Sequence, residues 1–427
     1  MVGFLKRFLK YLLYAIAGIL GLTATFVVYL MWLQPPFYFP KPTGAYAIGV
    51  KEYHWIDEAH KETFANDPAH PYRELMVKIW YPAQGTLTET PTTAYAADLV
   101  NHLKKTQKLL WLFGFSRPVY TYALPAAPIA ASSSLFPVII FSHGHPCAPE
   151  VYTVYCEELA SNGYVVIGIN HAYGSVLTQF PDGRQVGDGA FRQQQASATT
   201  FTQAKKHLDA TLETWAADVQ FVLDQLEKNS REKESLLYQH LDLQRIGMFG
   251  HSLGGATAIQ MCRRDARIKA GVNLDGGLFG KDPAQPFKKP CLFMLSENFA
   301  KTSESPLPQS LRDEFKIRTL DEEKIFKFLA TSNRELAQAL KPDAYLVVIK
   351  NAGHMDFMDL ALLKNASPFT RLLKNLGSKS ILGSIDGFRA TEIVNAYLVN
   401  FFDKYLKGTP SQLLDGTEKR YVEIELS

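Results

Sequence analysis

The segment Gly250-His-Ser252-Leu-Gly254 lies directly between an apolar, strand-like run and a segment with helical spacing. A serine in a G-x-S-x-G pattern between a strand and a helix sits on a strained turn, which exposes its hydroxyl at the end of a sheet. The small flanking residues let the strand and the helix approach each other closely. The pattern therefore predicts that Ser252 is a nucleophile. The alternative is a tight glycine turn in which the serine only caps the helix.

Short apolar runs alternate with helical segments along the rest of the chain. Strands are predicted over residues 75–81, 136–141, 164–169, 245–249, 268–274, 290–295 and 345–349, and helices over residues 150–162, 215–226, 253–264 and 391–407. Buried strands separated by helices indicate an α/β fold with a mostly parallel central sheet and helices on both faces. With the serine motif, this order predicts the α/β-hydrolase fold, whose site lies outside the carboxyl ends of the strands.

The partners of the serine are predicted from chain order. In α/β hydrolases an acid and then a histidine follow the nucleophile, and His354 is the one histidine after Ser252 in the sequence. Asp275 and Glu297 each end a predicted strand between these two residues. Either carboxylate would orient the imidazole of His354 and stabilise its charged form. The pattern alone favours Asp275 and leaves Glu297 open.

Two backbone N–H groups are predicted to bind the oxyanion that forms during acyl transfer. One belongs to Leu253, the residue after the nucleophile. The other belongs to His145, in the loop that follows the strand at residues 136–141. His143 and His145 also resemble a metal-binding pair, but Pro146 follows where a binuclear hydrolase has an aspartate. We therefore expect no metal site.

Charge and cysteine content exclude several classes of protein. The net charge of +3 comes from Lys6, Arg7 and Lys10, and the remainder of the chain balances at 42 basic and 42 acidic residues. A neutral body lacks the basic surface that nucleic-acid binding requires. Four cysteines are too few for a disulfide framework. Cys147 and Cys156 are close enough in sequence to pair in an oxidising compartment, although we expect free thiols.

The N-terminus predicts a membrane anchor. Residues 11–33 carry no charge and follow the three basic residues directly, and about 20 apolar residues span a bilayer as a helix. The run ends in bulky residues, which suit an interface better than a cleavage site. We predict an uncleaved signal anchor with a cytoplasmic N-terminus and an extracytoplasmic catalytic domain. A cleaved signal, which would release a secreted protein, and a buried core helix are the alternatives.

The predicted domain organisation follows from these segments. Residues 1–34 form the anchor, residues 35–43 a proline-rich linker, residues 44–408 the catalytic domain and residues 409–427 a C-terminal tail. Two charged helical stretches, residues 201–226 and 313–340, are expected to be excursions that cap the strand ends.

Several of these segments resemble the platelet-activating-factor acetylhydrolase family, which includes the lipoprotein-associated phospholipases. The similar segments are residues 73–83, residues 136–144 and the motif at residues 250–255. Asp275, 23 residues past the serine, matches the acid of the family, and His354 matches its base. The resemblance implies a calcium-independent serine esterase that removes short or oxidised acyl groups from the sn-2 position of phospholipids, without a cofactor.

The chain also departs from the pattern of this family. His145 occupies the oxyanion position, where relatives carry an apolar residue. Gly276 and Gly277 follow the acid where the animal enzymes are bulkier, which predicts a wider acyl pocket. The N-terminal anchor is not typical of the secreted members. These departures bear on the substrate more than on the reaction.

A second membrane contact is predicted after residue 99. Residues 99–115 place apolar side chains at helical spacing opposite a face of lysines, a composition that suits a helix lying in a membrane interface. Leu110, Trp111 and Phe113 are the candidate interface residues. The alternative is an ordinary amphipathic helix that covers the sheet.

Three functions remain open at this stage. The first is a membrane-anchored serine esterase whose partners are phospholipid substrates and the bilayer. The second is a broader carboxylesterase or lipase that acts on small esters or polyesters. The third is a binding protein on an inactive hydrolase fold, against which the complete set of Ser252, Asp275 and His354 argues.

Overall fold

A long mixed sheet organises the chain in the computed structural model, which describes residues 2–32, 36–65, 67–106, 118–198, 200–280, 287–302, 320–363 and 382–426. The strands in these ranges are β1 (Phe37–Tyr38), β2 (Ala47–Lys61), β3 (Tyr72–Ala83), β4 (Thr93–Ala94), β5 (Val119–Thr121), β6 (Leu124–Pro125), β7 (Phe136–Ser142), β8 (Val165–Asn170), β9 (Thr178–Gln179), β10 (Gln185–Val186), β11 (Leu241–His251), β12 (Ile268–Leu274), β13 (Cys291–Ser296), β14 (Ala344–Ile349) and β15 (Ile424–Leu426).

The helices in the same ranges lie mostly between these strands. They are α1 (Val2–Trp32), α2 (Ala97–Thr106), α3 (Thr153–Ser161), α4 (Gly189–Ala196), α5 (Phe201–Asn229), α6 (Leu253–Arg264), α7 (Glu297–Lys301), α8 (Leu320–Ala339), α9 (Leu360–Leu363) and α10 (Gly387–Phe402). Short 3-10 turns at Pro149–Tyr152 and His354–Phe357 precede α3 and α9, and a π-helical turn, Asp403–Lys407, continues α10.

Among the described residues, ten strands pair in the order β15-β14-β13-β12-β11-β7-β8-β3-β2-β6. The centre, from β8 to β14, is parallel. Antiparallel pairs occur where β8 meets β3, where β3 meets β2 and where β14 meets β15. The central strands are continuous apolar runs because helices cover both of their faces. This arrangement confirms the predicted α/β-hydrolase fold.

The two faces of the sheet carry separate hydrophobic cores. One core packs α5, α6 and α8 against the sheet, and the other packs α3 and α10 against the opposite face. The expectation that residues 201–226 and 313–340 are mere excursions is wrong for the parts described. Helix α5 buries apolar side chains at helical spacing, and α8 does the same; the buried side chains are Leu212, Trp215, Val219, Val222, Leu226, Leu329, Ala330 and Leu336.

Two further segments extend the packed part of the chain beyond the boundaries expected from sequence. Phe39, in the predicted linker, is 2% exposed, and the neighbouring β1 pairs with β5. Strand β15, in the predicted tail, adds to the edge of the sheet. Strand β2 gave no clear sequence signal because its burial alternates only in part. Short edge strands carry few apolar residues, so periodicity does not reveal them.

Helix α1 meets the length and composition of a membrane-crossing helix over Lys6–Phe26. Its described side chains in that span are exposed, including large ones such as Leu13, Ile19 and Leu22. A core helix would bury one face against the domain, so the alternative of a buried core helix is wrong. Exposed apolar side chains in this number need a non-aqueous partner, as they have in a bilayer or in a translocated signal sequence.

Candidate active site

The nucleophile turn joins β11 to α6. Ser252 has φ 54° and ψ −120°, a left-handed conformation that a non-glycine residue adopts only when its surroundings impose it. Its N–H donates to the carbonyl oxygen of Leu274 at 2.9 Å, which ties the turn to the end of β12. A Cβ on Gly250 would lie 2.2 Å from the carbonyl oxygen of Gly254, so only glycine permits this approach. The side chain of Ser252 stays partly exposed.

The predicted acid and base meet across two loops. Nδ1 of His354 lies 2.8 Å from Oδ2 of Asp275, and the carboxylate is buried while 27% of the imidazole side chain is exposed. Ser296, at the end of β13, donates its N–H to Oδ1 of Asp275 at 2.6 Å and its hydroxyl to Oδ2 at 2.8 Å. The carboxylate is therefore held on both oxygens. By accepting a hydrogen bond from Nδ1, Asp275 keeps the proton of His354 on that nitrogen.

Glu297, the alternative acid, is engaged elsewhere. Its carboxylate accepts the N–H of Asn351 at 2.6 Å and pairs with Lys301 at 2.7 Å. The hydrogen bonds from Lys301 and from Asn351 hold the pKa of Glu297 below its usual range. The imidazole of His354 contacts Asp275 instead.

The two predicted oxyanion donors lie on segments that touch each other. A Cβ on Gly254 would lie 2.1 Å from the carbonyl oxygen of Ser142, so the first turn of α6 packs directly on the end of β7. Leu253 lies in the first turn of α6, where main-chain N–H groups have no acceptor within the helix. Within the described residues, the N–H groups of Leu253 and His145 donate to no protein acceptor. Both are available to a ligand.

The side chain of His145 behaves as a neutral ring. It lies against Phe191 with ring centroids 3.8 Å apart, and its Nε2 is 3.3 Å from Oδ2 of Asp188. Burial, helped by the positive charge of Arg192, lowers the pKa of His145 to about 4. At neutral pH an uncharged imidazole therefore packs on an aromatic ring at this position.

The glycines after the acid do not widen a pocket. A Cβ on Gly276 would lie 2.2 Å from the carbonyl oxygen of Ser252, and a Cβ on Gly277 would lie 2.7 Å from the side chain of Leu329. The space beside these glycines is filled by the nucleophile turn and by α8. The expectation of a wider acyl pocket at this position is therefore wrong, because close packing accounts for both glycines.

A second row of hydrogen-bonded polar side chains, which no sequence motif revealed, lies directly behind the loop that follows β7 and carries His145 (the oxyanion loop). The hydroxyl of Ser142 is 2.8 Å from Nε2 of His171, whose Nδ1 is 2.8 Å from Oδ2 of Asp218. Arg73 binds both oxygens of Asp218, and Trp215 stacks on His171 with centroids 4.1 Å apart. All of these side chains are buried. Because Ser142 is buried, no substrate can reach it. These hydrogen-bonded side chains therefore support the candidate site and do not form a second site.

Tyr152 and His251 were also missed as groups that contact the site. His251 is a variable position of the serine motif, and Tyr152 ends the 3-10 turn that precedes α3. Only the tertiary structure brings them together, with the Tyr152 hydroxyl 2.8 Å from Nδ1 of His251. The motif itself was the one signal that pointed to His251.

Cys147 and Cys156 form no disulfide, and His143 and His145 form no metal site among the described residues. Cys147 and Cys156 are free thiols in this structure, and the Sγ of Cys147 lies 3.9 Å from Sδ of Met358. Nε2 of His143 accepts the N–H of His171 at 3.2 Å and lies 3.0 Å from the hydroxyl oxygen of Ser175. Across the described ranges, no group of three or more His, Cys, Asp or Glu side chains is arranged to hold a metal ion.

The candidate interface residues Leu110, Trp111 and Phe113 lie outside the described residues.

The chain is similar in sequence to proteins named as esterases and acetylhydrolases. The chain aligns with a probable 1-alkyl-2-acetylglycerophosphocholine esterase of Arthroderma benhamiae at 24% identity over 67% of this chain and 65% of that protein. It aligns with a platelet-activating factor acetylhydrolase of Cavia porcellus at 24% identity over 64% of this chain and 58% of that protein. The chain therefore spans less than two thirds of the length of these two relatives.

A relative and a solved structure cover more of the chain. A platelet-activating factor acetylhydrolase of Canis lupus familiaris is 22% identical over 86% of this chain and 77% of that protein. A ferulic acid esterase from Streptomyces cinnamoneus superposes with a TM-score of 0.69 at 25% identity, covering 91% of this chain and 99% of that one. The family model described as platelet-activating factor acetylhydrolase, isoform II, matches residues 34–413. This chain belongs to the platelet-activating factor acetylhydrolase, isoform II, family.

Proposed function

We propose that the chain is a serine carboxylic ester hydrolase that attacks its substrate with Ser252. The observation that carries the proposal is the 2.8 Å contact between His354 and Asp275, made by loops at the carboxyl ends of β14 and β12. These loops meet beside the strained turn that presents Ser252. The coincidence of a strained, partly exposed serine with a carboxylate-bound imidazole is the arrangement that activates a hydroxyl.

In the proposed mechanism His354 takes the proton of Ser252 at Nε2 as the hydroxyl oxygen attacks the ester carbonyl. The N–H groups of Leu253 and His145 donate to the oxyanion of the tetrahedral intermediate, which is the step where such donors contribute most. His354 then protonates the leaving alcohol. A water molecule, which gives a proton to His354, then attacks the carbonyl of the acyl-enzyme. The carboxylic acid product leaves, and His354 returns the proton to Ser252. Asp275 stabilises the imidazolium each time His354 holds the transferred proton.

We propose phospholipids with a short or oxidised sn-2 acyl group as the substrate class. Membership of the family supports this assignment, as do the names of the fungal and guinea-pig relatives. The structural likeness to a ferulic acid esterase favours the second candidate, an esterase of broader range that accepts small soluble esters. The reading as an inactive binding protein is disfavoured, because Ser252, Asp275 and His354 are all present and the last two are in contact.

We further propose that helix α1 anchors the domain to a membrane. The span Lys6–Phe26 is long and apolar enough to cross a bilayer. The basic residues Lys6, Arg7 and Lys10 stand at its N-terminal end and would stay on the cytoplasmic side. The catalytic domain then faces the other side, within reach of lipid. A cleaved signal sequence has the same composition, so the size of the mature protein decides between the two.

The experiment that tests the proposal measures hydrolysis of an sn-2 acetyl phospholipid by the full chain in detergent, without calcium. The control is Ser252→Ala. Parallel assays use p-nitrophenyl esters of increasing chain length and a feruloyl ester. Labelling with a fluorophosphonate probe, followed by peptide mapping, identifies the reactive serine without reference to a substrate.

Each outcome has a defined meaning. Phospholipid turnover that disappears in Ser252→Ala supports both the mechanism and the substrate class. Labelling of Ser252 with turnover of small esters alone supports the esterase and overturns the phospholipid assignment. Absence of both labelling and turnover in a folded protein overturns the proposed function.

A further inference from the structure

The hydroxyl of Tyr152 lies where the oxyanion loop meets the nucleophile turn. It accepts the N–H of Gly144, in the oxyanion loop, at 3.1 Å. It donates to Nδ1 of His251, the neighbour of the nucleophile, at 2.8 Å. The thiol of Cys147 contacts the same hydroxyl. One buried phenol therefore connects the oxyanion loop to the nucleophile turn.

The connection continues through His251 to the loop of the base. Nε2 of His251 donates to the main-chain carbonyl of His354 at 3.0 Å, and the two imidazole rings lie 4.5 Å apart. Because Nε2 carries the proton, Nδ1 is the acceptor that the Tyr152 hydroxyl requires. Burial, with the nearby His354 ring, holds the pKa of His251 well below its usual range. His251 thus stays neutral, and both hydrogen bonds persist at neutral pH.

The position of Gly144 shows how close this junction is to the reacting atoms. A Cβ on Gly144 would lie 2.8 Å from Nδ1 of His251, 3.0 Å from the hydroxyl of Tyr152 and 3.2 Å from Cβ of Ser252. The oxyanion loop is therefore pressed against the nucleophile at the residue that Tyr152 binds. The next N–H along the loop is that of His145, the proposed oxyanion donor.

We propose that Tyr152 is a positioning residue that sets the oxyanion donor of His145 and the imidazole of His354 relative to Ser252. This inference rests on the proposed function and adds to it a group that touches no substrate. Without the hydroxyl, the N–H of Gly144 and Nδ1 of His251 both lose their buried partner. Buried polar groups left unpaired are costly, so both loops shift to find new partners. A displacement of about 1 Å in such groups lowers catalysis by about 100-fold.

A purely structural role predicts a different result. Tyr152 is completely buried and packs on Phe141 with ring centroids 4.9 Å apart. If packing were its only role, Tyr152→Phe would keep the ring and leave the activity of the folded protein unchanged. A positioning role lowers the rate of the chemical step and leaves substrate binding nearly intact.

The test compares Tyr152→Phe with Tyr164→Phe in the full chain. Tyr164 is an equally buried tyrosine whose hydroxyl donates to Asp403 at 2.7 Å, away from the site. The measurements are kcat and KM on p-nitrophenyl acetate, the second-order rate of fluorophosphonate labelling and the melting temperature. We expect Tyr152→Phe to lower kcat and the labelling rate by about 10- to 100-fold, with KM within about twofold of the parent value. Tyr164→Phe should change the melting temperature only.

A second comparison guards against a folding defect. Because Tyr152 and His251 act through one junction, Tyr152→Phe combined with His251→Gln should lower the labelling rate no more than the worse single variant does. Equal kcat in Tyr152→Phe and the parent chain would overturn the inference while the proposed function stands. A parent chain that neither turns over an ester nor labels Ser252 would overturn the proposed function and this inference with it.

Discussion

The residue after the acid is pressed against the main chain of the nucleophile: a Cβ placed on Gly276 would lie 2.2 Å from the carbonyl oxygen of Ser252. The N–H of Ser252 in turn donates to Leu274, so the nucleophile turn and the acid turn form a single packed unit. Asp275, which lies between Leu274 and Gly276 in the sequence, also has a positive φ of 52°. A small change at Gly276 therefore acts on both residues at once.

Gly276→Ala is expected to lower activity and stability together. The added methyl group forces the main chain of Ser252 to move, and overpacking of this kind costs about 1–3 kcal/mol. We expect kcat/KM on p-nitrophenyl acetate to fall by at least about 10-fold. Gly189→Ala is the matched control, since a Cβ there meets nothing within 4 Å. Comparable activity in the two variants would contradict the close packing of the two turns.

Asp275→Asn and Glu297→Gln are expected to differ by orders of magnitude. Asp275 accepts a hydrogen bond from Nδ1 of His354, and an amide in its place favours the wrong tautomer of the imidazole. In the Ser-His-Asp hydrolase for which this change is established, it lowers kcat by about 10⁴-fold. Glu297 binds Asn351 and Lys301 instead, so its amide should retain most of the activity. The measurement is kcat on a soluble ester. A larger loss in Glu297→Gln would show that the wrong acid has been proposed.

Asp218 predicts an acid-sensitive contribution to folding. Burial alone would raise its pKa, but Arg73 and His171 bring the pKa of Asp218 down to about 2 from an ordinary 3.8. A carboxylate with a lowered folded-state pKa stabilises the fold above its unfolded pKa, and this stabilisation is lost as the pH falls through the folded pKa. The difference corresponds to about 2 kcal/mol.

The free energy of unfolding is therefore expected to decrease by about that amount between pH 4 and pH 2 through this group. Urea unfolding at a series of pH values measures it. Asp218→Asn should be less stable at pH 7, because Arg73 loses the charge of the carboxylate that it binds at both oxygens and keeps only Glu62 as an acidic partner. The variant should also lack this component of the acid dependence. Parallel pH profiles for the two chains would show that Asp218 is not the group responsible.

The predicted membrane-interface residues separate lipid hydrolysis from ester hydrolysis. Replacing Leu110, Trp111 and Phe113 by serine should reduce hydrolysis of sn-2 acetyl phospholipid in vesicles several-fold and leave p-nitrophenyl acetate hydrolysis unchanged, since apolar area drives interfacial binding. Val422→Ser is the matched control, because Val422 is an exposed apolar residue in the C-terminal segment. An equal loss on both substrates would mean that the segment is needed for folding.

Local pattern was sufficient to select two residues of the proposed site. Ser252 was predictable because strand, turn and helix are consecutive in the chain, and His354 because it is the one histidine that follows. The central strands were predictable because burial on both faces makes them apolar throughout. The polarity of residues 75–81 suggested a half-exposed strand, whereas most of β3 is buried, because helix α3 covers that face.

The sequence by itself determined the class of fold and the candidates for nucleophile and base, because each of these depends on residues that are close together or unique in the chain. The tertiary structure decided what distant segments do to one another. It joined Asp275 rather than Glu297 to His354, built the buried chain from Ser142 to Arg73 and brought Tyr152 to His251. Hydrogen bonds between residues 29 to 99 positions apart leave no periodic trace, since they depend on how strands and helices pack and not on local preference.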